Sequence, residues 1–162
     1  YALEKGADII FEMDGDFSHN PKYVPVMVEA LKEADWVIGS RYIKGVSVVD
    51  WPIERLLLSY CATRWAKWMT GVPIHDMTAG FKAFRRKSLQ ALDFSRIRSD
   101  GYSFQIEVNV LLHRKGFRFK EIPIIFSDRN IGVSKMNSAI VAEAFLTVWR
   151  LFFERPFVRR KN

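Results

Sequence analysis

Asp8-Ile9-Ile10-Phe11-Glu12-Met13-Asp14-Gly15-Asp16 is a short apolar run that ends in two carboxylates one residue apart. The apolar part reads as a buried strand, and the acids fall just past its end. Side chains two apart on an extended segment point the same way, so Asp14 and Asp16 can converge on one cation or polar ligand. The competing reading is a solvated turn, a common setting for Asp. Asp-Gly after an apolar run also signals a hairpin, but Asp16-Phe17-Ser18-His19-Asn20-Pro21 shows no returning alternation. A calcium loop starting at Asp14 would need Gly and Glu where the chain has His19 and Pro25, which excludes it.

Downstream, Asn20 and Pro21 form a helix start, and Val24, Val28 and Leu31 carry that helix to about Ala34. Asp35-Trp36-Val37-Ile38 is a second apolar strand that ends in Gly39-Ser40-Arg41. Strand, helix, strand is a βαβ unit, whose parallel strands bring their C-terminal ends to one edge. Arg41 therefore shares an edge with Asp14 and Asp16, where open α/β sheets bind ligands.

After a loop over residues 44–50, Trp51-Pro52 opens a long helix that ends at Gly71. Arg55 and Ser59 are one turn apart on it, and with Arg41 they can cradle a phosphate through bidentate guanidinium donors and a hydroxyl. The plainer reading is an exposed helix face. Asp76 is a candidate ligand or base, or a turn residue. His75 lacks partners at zinc spacing.

Phe81 with Ala83 or Phe84 predicts a strand, and Leu89 and Leu92 a short helix. Residues 99–102 predict a turn, and Phe104 to Gly116 a helix. A strand over residues 118–126 carries Pro123, which marks an edge or an early break. Arg129, Gly132, Ser134 and Lys135 form a basic loop suited to an anion. From Asn137 an amphipathic helix leads to a basic, aromatic tail suited to a membrane interface, or to an ordinary core helix with a basic terminus.

The 162 residues are 49% hydrophobic, enough for one globular domain with a core, and the net charge of +7 favours polyanionic partners. These include nucleic acid, an anionic membrane and phosphorylated substrates. The single cysteine, Cys61, allows no intrachain disulfide and is expected to fill the core. Tyr1 to Gly6 reads as the last turn of a helix closed by Gly6, so the chain is expected to be a segment of a longer protein. No stretch reaches the roughly 18 apolar residues of a spanning helix.

In combination, several motifs resemble the polyprenol (dolichol) phosphate mannosyltransferases within the family 2 glycosyltransferases. They are residues 13–21, Gly39-Ser40-Arg41-Tyr42, Trp51-Pro52 with Arg55 and Ser59, Asp76 with Thr78-Ala79-Gly80-Phe81, residues 101–107, and Asp128-Arg129 with Gly132 and Ser134-Lys135-Met136. They run in order over nearly the whole chain.

The resemblance implies an α/β fold of the GT-A type, a Rossmann-like mixed sheet lacking its first strands. It further implies inverting transfer of mannose from GDP-mannose to a polyprenyl phosphate. On this basis Asp14 and Asp16 hold Mg²⁺ or Mn²⁺ on the donor diphosphate, with Asp16, Arg41 and Arg55 in the catalytic role. Arg41, Arg55 and Ser59 hold the acceptor phosphate, and Arg129 and Lys135 close over the donor diphosphate. Asp76 and Gln105 support the site. Ser103, Phe104 and Gln105 stand where relatives acting on hydroxyls carry an acidic base. A phosphate monoester, with its second pKa near 6, is already largely ionised and needs no strong base.

Residues 1–136 are expected to form the C-terminal portion of the catalytic domain and residues 137–162 an amphipathic helix with a basic tail. The expected location is the cytoplasmic face of a membrane, peripherally attached, with no nucleic-acid partner. The alternatives are transfer of another sugar, glucose for instance, to a lipid phosphate, or a basic nucleic-acid-binding module.

Overall fold

The computed structural model describes residues 1–49, 51–127 and 138–154, with Ser138 and Ala139 described by backbone alone. Arg129 and Lys135, expected at the donor diphosphate, lie outside the described residues.

The chain opens with a helical turn whose Gly6 N–H donates to Leu3 O and Ala7 N–H to Ala2 O, the paired bonds that close a helix on a glycine at C′. Strand β1 (Ile9–Glu12) follows. Asn20 caps a short 3₁₀ turn, its side chain accepting from Lys22 N, and α1 (Val24–Ala30) continues from it. The helix stops four residues before the expected Ala34; tight turn bonds such as Lys32 N–H to Glu29 O replace the α-helical pattern. Strand β2 (Trp36–Ser40) is buried throughout, and β3 is the pair Val48–Val49. α2 spans Ile53–Thr70 and ends on Gly71 at φ 71°, a left-handed position that glycine adopts without a Cβ penalty.

Strand β4 (Lys82–Arg85) runs directly into α3 (Arg86–Gln90). α4 spans Gly101–Arg114, β5 Phe119–Pro123, β6 Phe126–Ser127 and α5 Ser138–Phe153. α4 begins three residues before the expected Phe104, because the extended Asp100 presents its carbonyl to Phe104 N–H and Gly101 absorbs the turn.

The main sheet has the order β1-β4-β2-β5, and β3 pairs with β6 beside it. β4 is antiparallel to both β1 and β2, and β5 is parallel to β2. β1 and β2 therefore run in the same direction, as the βαβ reading requires, but β4 lies between them. Among the described strands β5 lies at the edge of this sheet, and Pro123 ends it, consistent with the lost ladder donor.

Alternation in β2 sends Trp36 and Ile38 to one face and Val37 to the other. On the first face they join Met77, Ile106, Leu112 and Leu151; on the second, Val37 joins Met27, Leu31 and Phe81. Helices thus cover both faces of the sheet. Gly39 permits close packing here, since a Cβ would meet Ile124 at 3.2 Å and Phe81 at 3.3 Å.

α5 contributes Val148 and Leu151 to the first core, so the helix is part of the same packed body. Cys61 does not fill the core: it is exposed. α2 buries the stripe Ser59, Thr63, Ala66 and Thr70, and a residue two positions past Ser59 falls on the opposite side.

Candidate active site

The end of β1 delivers Asp14 and Asp16 into a tight turn whose Phe17 has φ 65°. Asp16 Oδ1 accepts from Ser18 N at 3.1 Å and Ser18 Oγ at 2.5 Å. Asp14 N–H donates to His19 Nδ1 at 3.0 Å. The His19 ring is buried, stacked on Phe81 at 4.9 Å and edge-on to Phe126 at 5.4 Å. Burial pushes the imidazole pKa down, although Asp14 and Asp16 pull it up. Its Nδ1 acts as an acceptor, so the neutral ring carries its proton on Nε2. His19 thus anchors the turn that presents Asp14. Sequence reasoning gave it no role of its own, because that role depends on Phe81 and Phe126, which are remote in the chain.

Arg41 lies at the end of β2 and is buried at 6% exposure, while Asp76 is at 0%. Asp76 Oδ2 accepts from Arg41 N at 2.9 Å and Nε at 2.7 Å, and Oδ1 accepts from Nη2 at 2.7 Å. Nη2 also donates to Thr78 Oγ1 at 2.9 Å. Burial opposes the charge on Arg41, but the Asp76 carboxylate outweighs it and keeps the guanidinium ionised. Asp76 N–H in turn donates to Glu121 Oε1 at 3.1 Å, and His75 N–H to Oε2 at 2.9 Å. Asp76 therefore supports Arg41 through a fork of charge-assisted bonds.

Trp51 carries both guanidinium groups, with Arg41 Cζ 5.3 Å and Arg55 Cζ 4.1 Å from its ring centre. The indole Nε1 is buried with no hydrogen-bond partner among the described residues. Ser59 is reached from the same edge: its Oγ accepts from Tyr42 Oη at 2.8 Å, and burial holds the Tyr42 phenol protonated.

Beneath the pocket floor, Gln105 Nε2 donates to Glu12 Oε1, and Gln105 Oε1 accepts from the buried Lys82 Nζ at 2.6 Å. Lys82 was absent from the sequence candidates because nothing in a strand pattern marks an interior lysine.

Two adjoining cavities of about 330 Å³ each open here. One has Asp14, His19, Arg41, Arg55 and Gln105 in its wall, and the other runs between α2, α4 and α5 past Ser59, Ala62, Trp65, Ile106, Phe145 and Val148. Arg41, Trp51, Thr78 and Tyr102 border both. The structure therefore gathers Asp14, Arg41, Arg55 and Gln105 at one cavity and places Ser59 at its neighbour. Asp16 is half-buried in the turn beside Asp14, and Asp76 lies behind Arg41.

Among the described residues no cluster of three or more His, Cys, Asp or Glu side chains can hold a metal ion by itself. Asp14 and Asp16 supply hard oxygen donors. Two carboxylates would fit a hard divalent cation of the Mg²⁺ type that takes its other oxygen ligands from outside the described residues.

Residues 5–93 match the family model described as glycosyl transferase family 2. The chain is 41% identical over 150 residues to an undecaprenyl-phosphate mannosyltransferase of Micrococcus luteus, covering 93% of this chain and 62% of that protein. It is 41% identical over 149 residues to a polyprenol monophosphomannose synthase of Mycolicibacterium smegmatis, covering 91% of this chain and 56% of the relative. A dolichol-phosphate mannosyltransferase of Pyrococcus furiosus is 31% identical over 153 residues, covering 91% of this chain and 42% of its own length. The chain thus spans less than two thirds of the curated relatives it matches.

Among solved structures, glucosyl-3-phosphoglycerate synthase from Mycobacterium tuberculosis in complex with phosphoglyceric acid superposes with a TM-score of 0.65 at 15% identity, covering 94% of this chain and 52% of that one. The same enzyme with Mn²⁺ and UDP-glucose gives a TM-score of 0.62 over the same shares. These likenesses bear on the fold, which is the GT-A type expected from the sequence. With the family model matched over more than half its length, the chain belongs to glycosyl transferase family 2.

Proposed function

We propose that this chain is the C-terminal portion of the catalytic unit of an inverting mannosyltransferase that moves mannose from GDP-mannose to a polyprenyl phosphate. The observation that carries the reading is the junction of two unlike cavities at Arg41 and Trp51, one bordered by Asp14 and two arginines and the other almost wholly apolar. A sugar nucleotide meets a lipid phosphate in such a place: charge on one side, the first isoprene units on the other. The names of the relatives support mannosyl transfer to a polyprenyl phosphate.

In this reading Arg55 and Arg41 receive the acceptor phosphate, with Ser59 and Trp51 Nε1, which has no partner among the described residues, as further donors. Arg41 arrives preset, because Asp76 and Thr78 hold its Nε and Nη2. Asp14 and Asp16 would hold Mg²⁺ or Mn²⁺ against the donor diphosphate. Such an ion supplies charge neutralisation to the departing nucleoside diphosphate. Gln105 cannot accept a proton as a carboxylate would, which suits a nucleophile that is already an anion. Positioning and electrostatic stabilisation then do the catalytic work.

The protein is further proposed to sit peripherally on the cytoplasmic face of a membrane. Ile53, Leu57 and Trp68 on α2, and Leu146 and Phe153 on α5, are 56–76% exposed apolar side chains on the two helices that flank the apolar cavity. No helix among the described residues is long and apolar enough to cross a membrane.

The test uses the full-length protein with a polyprenyl phosphate and either GDP-mannose or UDP-glucose, with Mg²⁺, Mn²⁺ or EDTA. Mannosyl lipid formed only from GDP-mannose and only with metal is expected. Transfer from UDP-glucose alone would assign the donor otherwise, and no lipid product from either would overturn the proposal.

A further inference from the structure

Lys82 is a charged side chain at 0% exposure in the middle of the sheet, and the proposed chemistry makes no direct use of it. Its Nζ donates to Gln105 Oε1 at 2.6 Å and to Gln105 O at 3.2 Å. With its oxygen taken by an ammonium, the Gln105 amide can present only N–H to Glu12, and it does so. The orientation of the amide is therefore set by chemistry at both ends.

Both ends matter to the site. Gln105 borders the polar cavity on the first turns of α4, beside Tyr102. Glu12 is the last residue of β1, two positions before Asp14, and β1 is a four-residue strand hydrogen-bonded only to β4 among the described strands. So short a strand has little of its own to fix its end. The register pairs Glu12 with Lys82 across that ladder, and the side chains close a second path between the same two residues through Gln105. Burying an ammonium is expensive, and a similarly sized apolar side chain would serve the fold at lower cost. A buried charge with two donors aimed at a cavity-lining residue serves geometry.

We infer that Lys82 is a positioning residue for the sugar-nucleotide side of the site: through Gln105 and Glu12 it fixes the end of β1 that presents Asp14 and the facing turn of α4. The inference rests on the proposed mannosyl transfer.

The experiment measures two-substrate kinetics and melting of full-length wild type, Lys82→Met, Lys82→Arg, Gln105→Ala and the Lys82→Met/Gln105→Ala pair. Lys82→Met is expected to melt within a few degrees of wild type, to lose roughly tenfold or more in kcat/KM for GDP-mannose, and to keep the KM for polyprenyl phosphate. The double variant should lose no more than the worse single one. Lys82→Arg, which keeps the charge, should recover part of the loss, and it carries the test if Lys82→Met does not fold: a donor-side loss supports the role and wild-type kinetics refute it. An active wild type with unaffected Lys82 variants, with equal losses toward both substrates, or with additive losses in the pair overturns this inference alone. A wild type that forms no mannosyl lipid overturns the proposed function and this inference with it.

Discussion

At the level of single residues, the site depends on groups whose charge or tautomer is fixed by burial. His19 holds the Asp14 turn as a neutral ring. His19→Ala should lower turnover by about tenfold to a hundredfold, of the order seen when an outer-shell partner of a ligand is removed, and initial rates at saturating substrates check it. Lys82 has a pKa lowered to about 8 by burial, with Glu12 and Asp76 pulling it back up. The unfolded chain keeps that proton to about pH 10.4, so between these values the unfolded state binds more protons and this group's penalty shrinks as pH rises. The stability difference between Lys82→Met and wild type should therefore be constant below pH 8 and move in favour of wild type above it, by about 1–3 kcal/mol by pH 10. Urea unfolding across that range measures it. Asp14, Arg41, Arg55 and Ser59 could be named as candidates from residue type and place, two past strand ends and two on one helix face, with the family resemblance deciding between a ligand site and a solvated surface. His19 and Lys82 were not, since a histidine in a turn and a lysine in a strand acquire meaning only from what is stacked or folded against them.

At the level of elements, α4 is buried on nearly every side and must satisfy its polar residues internally. Glu107, at 5% side-chain exposure, pairs with Arg150 of α5 at 2.8 Å and accepts from Ser99 Oγ at 2.6 Å. Arg150→Ala leaves a buried carboxylate without its counter-charge and should cost about 3 kcal/mol or more, read as a lower urea midpoint. α2 and α5 also form walls of the apolar cavity, with Ala62 of α2 and Phe145 of α5 both among its lining residues. Ala62→Trp should fill part of it and raise the KM for polyprenyl phosphate about tenfold, a loss of about 1.4 kcal/mol, while the GDP-mannose KM stays put. The long helices were readable from periodicity and caps. The extra turn of α4 was hidden because Gly101 at its start mimics a loop, and the strand predicted over residues 118–126 divides at Pro123, so β6 pairs with β3 instead of extending β5.

At the level of the whole molecule, the order of strands decides what meets what. The reading of β1 and β2 as codirectional placed Asp14 and Arg41 on one edge. The antiparallel β4 inserted between them brings Lys82 and the Asp76 segment into the same region, which local sequence pattern does not encode. The apolar outer faces of α2 and α5, together with the net charge of +7, suit a surface that rests on anionic lipid. Leu57→Glu with Leu146→Glu should reduce cosedimentation of the full-length protein with anionic vesicles several-fold. The central claim, that the acceptor phosphate enters the polar cavity on Arg41 and Arg55 from an apolar cavity that joins it at Arg41 and Trp51, is tested most directly by two-substrate kinetics of full-length Arg55→Ala. A charge-assisted contact of about 1.5–3 kcal/mol predicts a KM for polyprenyl phosphate raised tenfold to a hundredfold at an unchanged KM for GDP-mannose. An unchanged acceptor KM, or a loss confined to the donor, would contradict it.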